Sequence, residues 1–404
     1  MRKFLGPGVL FAATAIGVSH LVQSTRAGAD YGWSFIWIIL IANLIKFPFF
    51  EFGTRYANAT GESLIEGYKK LGAWAVYVYA GVTLVAIFTV TGAVSIVTAG
   101  LFANLIGWEG SFGILTAGVF LLCFIWLALG KFKFLDLSIK VIIGLLFLST
   151  IAAFATTAVD VGLHWEWQTF PDFDRKLDLA FTMALVGWMP TAVDLSVWNS
   201  IWTVDKMSKD DIGKNKRQVL REFHLGYWLS AVSALLFLGI GTMLMFNKNE
   251  GLPDQAVGFT GALVDLYTEA LGSNFKIVIV LSATAAMFST TLSVFDGYGR
   301  TLGRLVKAIH PKWGMPYALT VFIVSIGGWL LVTTYQSKMT ALVQLAMLIS
   351  LVVAPLVGYL NYRLVVSKDF PESHRPGRGV KLWAQAGLFA LAILSLIYLL
   401  SISH

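Results

Sequence analysis

The chain reads as an all-α integral membrane protein of about eleven crossings, with breaks in the first and sixth. Three observations predict this. The composition is 57% hydrophobic and only 13% charged, with a mean hydropathy of +0.72, more apolar surface than a water-soluble domain can cover. Lys and Arg collect in alternate gaps between the apolar runs, as cytoplasmic loops do. Two apolar segments, Ala12-Ala-Thr-Ala-Ile-Gly-Val-Ser-His-Leu-Val-Gln23 and Ala184-Leu-Val-Gly-Trp-Met-Pro-Thr-Ala-Val-Asp-Leu195, meet Gly or Pro beside polar side chains midway.

In order, the spans fall at roughly 8–26, 33–55, 72–104, 112–130, 137–159, 178–203, 222–246, 275–305, 316–335, 339–366 and 382–402. The first contains the first break. The second carries Glu51 and Arg55, four apart and so predicted to pair within the helix, and Lys46, predicted to snorkel toward the membrane surface. The third, 74–105, has no acid. The fourth holds Cys123, the single cysteine, which reads as a small core residue and excludes an intramolecular disulfide. After the unremarked fifth span, the sixth contains the second break, and the seventh follows a basic loop. The polar, amphipathic stretch 250–273 predicts an external loop with a short helix at 255–271. The eighth span carries Ser289, Thr290 and Thr291 followed by Asp296, with Arg300 four residues on. A Pro-, Gly- and charge-rich linker, 367–379, separates the tenth span from the eleventh. The breaks lie about 170 residues apart, which predicts one membrane domain over 1–404: a repeat at 1–160, an inverted repeat at 177–366 and an extra helix at 380–404.

The formal charge of +7 matters less than its placement. Basic residues gather at the N-terminus, at Lys131 and Lys133, and in 206–221, 300–312 and 363–381, whereas Glu166, Asp172, Asp174 and Asp178 mark the opposite side. The N-terminus is therefore expected in the cytoplasm and the C-terminus outside, in a plasma membrane of the prokaryotic inner-membrane kind. The basic loops read as topology signals, so no nucleic-acid partner is expected. No metalloprotease, nucleophile-elbow or phosphate-loop motif is present, so no enzyme and no cofactor are expected. No cleavable signal peptide is evident, and a monomer is the expected state.

A helix interrupted in lipid leaves carbonyls at the end of its first half and N–H groups at the start of its second. The first attract cations and the second anions. Candidate binding residues are Thr14, Gly17, Ser19 and His20 in the first break, and Gly187, Met189, Thr191 and Asp194 in the second. Each has a plainer reading. The glycines allow close helix packing, Met189 fills core, Ser19 and Thr191 cap half-helices, and His20 and Asp194 pair with each other. Ionisable groups at membrane depth are costly, which makes the last two the harder to dismiss.

The runs Phe4-Leu-Gly-Pro-Gly8 and Gly28-Ala-Asp-Tyr-Gly-Trp-Ser34, with Met189-Pro190, resemble the first and sixth spans of the Nramp divalent-metal transporters. The resemblance implies the inverted-repeat architecture of LeuT-like transporters. It also implies metal transport, with Met189 and His20 as candidate ligands and Ser289, Thr290 and Asp296 as a candidate ion or coupling site. The departures are specific. The family's Asp-Pro-Gly-Asn falls on Gly17, Val18, Ser19 and His20, and the His of its Met-Pro-His falls on Thr191. Proton coupling is expected to be weak or absent, because the third span lacks the family's acids. The reading is a secondary-active transporter working by alternating access. Its cargo is a divalent or soft metal cation through a rewritten site. The alternatives are a small organic solute recognised by His20 and Asp194, or a membrane sensor that keeps the fold without transport.

Overall fold

The computed structural model describes residues 7–129, 132–163, 176–246 and 252–402. Phe4, Lys131, Glu166, Asp172 and Asp174 lie outside the described residues, as do the side chains of Lys133 and Asp178. Among the described residues the secondary structure is helical throughout.

The first crossing is α1 (Pro7–Ala15), a π-helical segment Ser19–Ser24, and α2 (Thr25–Tyr31). The second is α3 (Phe35–Thr60), followed by the short α4 (Leu64–Leu71), which a Ser63–Glu66 capping box starts. The next three are α5 (Ala73–Ile106), α6 (Phe112–Ala128) and α7 (Phe132–Asp160). The sixth is α8 (Lys176–Trp188) and α9 (Leu195–Lys206). Then come α10 (Lys216–Met245), the predicted short helix α11 (Ala256–Leu271), α12 (Lys276–Ile309), α13 (Tyr317–Tyr335), α14 (Met339–Val366) and α15 (Arg378–Ile402). Among the described residues, seven helical segments are long and apolar enough to cross a membrane unaided. The two broken crossings are not regular over their whole length, which is what the interrupted hydropathy implied.

The predicted alternation of gaps is visible in contacts. At one end, Arg304 on α12 reaches Glu66 on α4 at 2.9 Å, Gly213 N donates to Asn58 O at 2.7 Å, and Arg55 Nη1 donates to His374 O at 2.9 Å. Those residues lie in four different even-numbered gaps or beside them, so the basic gaps meet at one end of the bundle. At the other end α11 is tied to α5 through Asn104 and Val257 O at 3.0 Å. The predicted Glu51–Arg55 pair is present at 2.5 Å and extends to His224 at 2.7 Å. His374, outside the crossings, is held below the usual histidine range by its burial and by Lys216 and Arg55 nearby.

Without a hydrophobic drive between helices in lipid, close backbone approach holds such a bundle together. The first crossing and α10 press together on both sides of the first break. A Cβ on Gly226 would lie 2.0 Å from Gly8 O, and one on Gly241 would lie 2.1 Å from Thr25 O. The outward faces of α6, α13 and α15 instead expose Leu121, Phe322 and Phe389 to the surroundings, where lipid tails would cover them.

Gly226→Ala should therefore destabilise the protein by about 2 kcal/mol through overpacking. Gly118→Ala, with nothing within 4 Å of the new Cβ, should melt as the unaltered protein does. Thermal unfolding in detergent compares the two, and equal melting would refute the close-packed seam.

Candidate functional site

The first break is short. Gly17 N turns back to Ala15 O at 2.9 Å, and His20 N and Leu21 N restart the helix on Gly17 O at 3.1 and 2.9 Å. In the second, Pro190 has no N–H to give, and the peptide before it is cis. Regular helix resumes when Leu195 N finds Ala192 O at 3.1 Å and Ser196 N finds Val193 O at 2.9 Å.

Side chains meet the carbonyls left over. Ser19 Oγ lies 3.1 Å from Ala15 O and 3.0 Å from Pro190 O, so one hydroxyl bridges the two breaks. Thr290 on α12 aims its hydroxyl at Ala13 O and Ile16 O, at 3.4 and 3.5 Å, while also bonding Ala286 O at 3.1 Å. Lys46 donates to Gly187 O at 3.0 Å and to Thr191 O at 3.1 Å. The predicted snorkelling of Lys46 is thus corrected: the residue is fully buried, because orphan carbonyls across the bundle attract its ammonium more than the membrane surface does.

A cavity of about 30 Å³ lies between the breaks. Thr14, Ser19, Thr191 and Thr290 line it among the predicted residues. Its apolar wall comes from Val90 and Val94 on α5, Val294 on α12, and Trp188, Leu195 and Trp198 around the second break. Sequence reasoning missed this wall, since a Val or Trp in an apolar run carries no local mark of facing a cavity.

The other predicted residues are placed elsewhere. His20 engages both ring nitrogens, Nδ1 with Ser19 Oγ at 2.8 Å and Nε2 with Ser230 on α10 at 3.0 Å, so it joins the first crossing to α10. Gly187 packs its backbone on α14, where a Cβ would stand 2.1 Å from Met347 O. Gly17 faces the Thr290 side chain, and Met189 is buried in the apolar core. Asp194 precedes α9 without capping it. Its Oδ2 accepts from Tyr298 at 3.4 Å, and Oδ1 has no hydrogen-bond partner. Tyr68 and Tyr79 stand within electrostatic reach of the same carboxylate. Ser289 Oγ is buried without a partner, and Thr291 bonds Thr98 on α5 at 2.7 Å. Among the described residues no three His, Cys, Asp or Glu side chains gather to hold a metal ion.

Asp296 belongs to the basic end. Arg300 Nε lies 2.8 Å from both its oxygens, Tyr317 Oη donates to it at 2.5 Å and Trp202 Nε1 at 2.7 Å. Asp205 at the end of α9 then accepts from Arg300 at 2.6 Å and from Arg304 at 2.9 Å. This network ties α9 to α12, α13 and α4.

The family model for natural resistance-associated macrophage protein-like proteins, Nramp, matches residues 8–401. An uncharacterized protein of Pasteurella multocida is 30% identical over 98% of this chain and 90% of its own length. The divalent metal cation transporter MntH of Acidiphilium cryptum is 22% identical over 86% of this chain and 79% of its own. Among solved structures, the Eremococcus coleocola manganese transporter in complex with an aromatic bis-isothiourea substituted compound superposes with a TM-score of 0.78 at 15% identity, covering 98% of this chain and 85% of that one. MhsT in complex with L-phenylalanine superposes at 0.65 and 15% identity, over 99% and 98%. At these identities the structural likeness establishes the shared fold.

If the network at the basic end is a gate, removing its shared acid opens a path to the cavity. In a Cys123→Ala background, Asp205→Asn should raise the labelling rate of Thr191→Cys by a polar thiol reagent about tenfold, the effect of roughly 1.4 kcal/mol on the closed state. An unchanged rate would show that the network is not a barrier.

Proposed function

The chain belongs to the Nramp family, and from that premise we propose that it is a secondary-active transporter carrying a metal cation by alternating access around its two broken helices. One observation carries the reading: a cavity of about 30 Å³ lies between the breaks, and Thr14, Ser19, Thr191 and Thr290 are the hydroxyl-bearing residues of its lining. A water needs about 10–15 Å³ measured the same way, so this is room for an ion with little hydration. The relatives named for divalent metal and manganese transport support the same cargo class.

The ligands, however, are neutral. Hydroxyls and break carbonyls are oxygen donors for a stripped cation, but without a carboxylate they compensate dehydration poorly. Weak binding is the consequence. His20 bonds Ser19 and Ser230, and Met189 is not among the residues lining the cavity, which favours Thr14, Ser19, Thr191 and Thr290, the hydroxyl ring of this reading, over the soft pair as cargo contacts.

The organic-solute reading has less support from this geometry. A drug-sized ligand takes a pocket of about 300 Å³ or more, and His20 and Asp194, its expected recognition groups, bond to α10 and to Tyr298 instead. The two halves that move against each other are taken as 1–160 and 177–366, with α15 outside them and the basic end in the cytoplasm. The third crossing supplies no acid for a proton path, so transport is expected to be insensitive to an imposed pH gradient.

Calorimetric titration of the purified protein with Mn²⁺ and Cd²⁺ tests the cargo. Saturable binding near the millimolar range is expected, and Thr191→Val together with Thr290→Val should weaken it about tenfold, the worth of one to two hydrogen bonds to a charged group. No heat at millimolar ion sinks the metal reading. Binding unchanged in the double variant removes the hydroxyl ring.

A further inference from the structure

Lys46 stands outside the cargo cavity, yet it is fully buried within an apolar bundle. Among the described residues no carboxylate pairs with it; its ammonium contacts are Gly187 O at 3.0 Å and Thr191 O at 3.1 Å. A lone buried charge is normally prohibitive in such surroundings. Here the surroundings are specific. Gly187 occupies the last turn of α8, whose carbonyls have no following helical N–H, and the end of a helix carries partial negative charge. Thr191 O belongs to the irregular stretch just beyond. The clamp of Gly187 on α14 fixes one carbonyl in place, since the backbones there are too close to admit a Cβ.

Carbonyl ends of this kind are where transporters with discontinuous helices coordinate free coupling cations. We propose that the carbonyl end of α8 is an alkylammonium site occupied in cis by Lys46, a tethered cation standing where a free one would otherwise bind. The third N–H of the ammonium remains for the polar lining of the break. Because the cation is covalently attached, it stays through every turn of the cycle. The carbonyls of Gly187 and Thr191 are withdrawn from cargo, and no free ion is needed to satisfy them. Asp194 stands on the far side of the break, immediately before α9.

The test replaces the tether and supplies the cation separately. Lys46→Ala removes three methylenes and the ammonium, the atoms that n-propylammonium carries. In detergent, Lys46→Ala should melt several degrees below the unaltered protein, and n-propylammonium chloride should restore the loss saturably. The neutral isostere n-propanol should not. Equal recovery with both would mean that filled volume, not charge, is what the site requires, and the proposal would fail. So would the absence of recovery with either. Should Lys46→Ala not fold, Lys46→Met decides, because it keeps most of the stem and loses the charge. Melting equal to the unaltered protein overturns the proposal, and a loss that Lys46→Arg does not share supports it. Neither readout needs a cargo, so the result stands apart from the metal titration.

Discussion

Backbone carbonyls that a broken helix strands in the middle of an apolar bundle must each find a donor, because lipid offers none. Most of what distinguishes this protein follows from how they do so. Ala15 O and Pro190 O share the Ser19 hydroxyl, Ala13 O and Ile16 O receive Thr290, and Gly187 O and Thr191 O receive Lys46. The donors come from the first, second and eighth crossings. The breaks are consequently satisfied partly by the first crossing itself, through Ser19, and partly by neighbouring crossings, and neither can be moved without disturbing the others. Ser19 has one proton for two carbonyls and a neighbouring imidazole, so its partner depends on which nitrogen of His20 carries hydrogen. That hydroxyl is a direct polar bridge between the first break and the second, and Ser19 lies on the cavity wall.

Packing makes this accounting possible. The first crossing is pressed on α10 at Gly226 below the break and at Gly241 above it, so the irregular segment is held at both ends. α8 is pressed on α14 in the same way at Gly187. Rigid half-helices around a soft join are what alternating access requires, since rocking can then occur at the break without unfolding the halves. The ionic network of Asp205, Asp296, Arg300 and Arg304 gives α9 a second anchor at the basic end, with Asp296 buried and the other three partly exposed.

The crossings, their order and the two breaks were legible because each leaves a long signal: some twenty apolar residues, a run of basic ones, or a Gly or Pro inside hydropathy that otherwise continues. The short helix 256–271 was legible for the same reason, through its periodicity. Of the site, Thr14, Ser19 and Thr191 were legible from their place beside a break and Thr290 from the hydroxyl run of the eighth span, and all four line the cavity. Lys46 was misread. Its sequence neighbourhood is that of any lysine in a crossing, and only the position of α8, 141 residues away, tells the ammonium where to go. Asp194 and His20 were singled out for their cost in a membrane, which is real. That cost is met by Ser19 and Ser230 for His20 and only in part by Tyr298 for Asp194, whose Oδ1 has no hydrogen-bond partner; no local pattern discloses these alignments.

Lys46 and the second break belong to one electrostatic problem. A buried ammonium beside a carboxylate would form an ion pair with it. Among the described residues no ion pair holds Lys46, and its ammonium settles on Gly187 O and Thr191 O at the carbonyl end of α8. Carbonyls engaged in this way are not offered to cargo. On the proposed reading, what remains for cargo is a small cavity with Ser and Thr side chains and a wall of Val and Trp in its lining, and with Lys46 and Asp194 outside it. Such a site can distinguish ions by size and by the ease with which they shed water, but it has little means of holding them tightly.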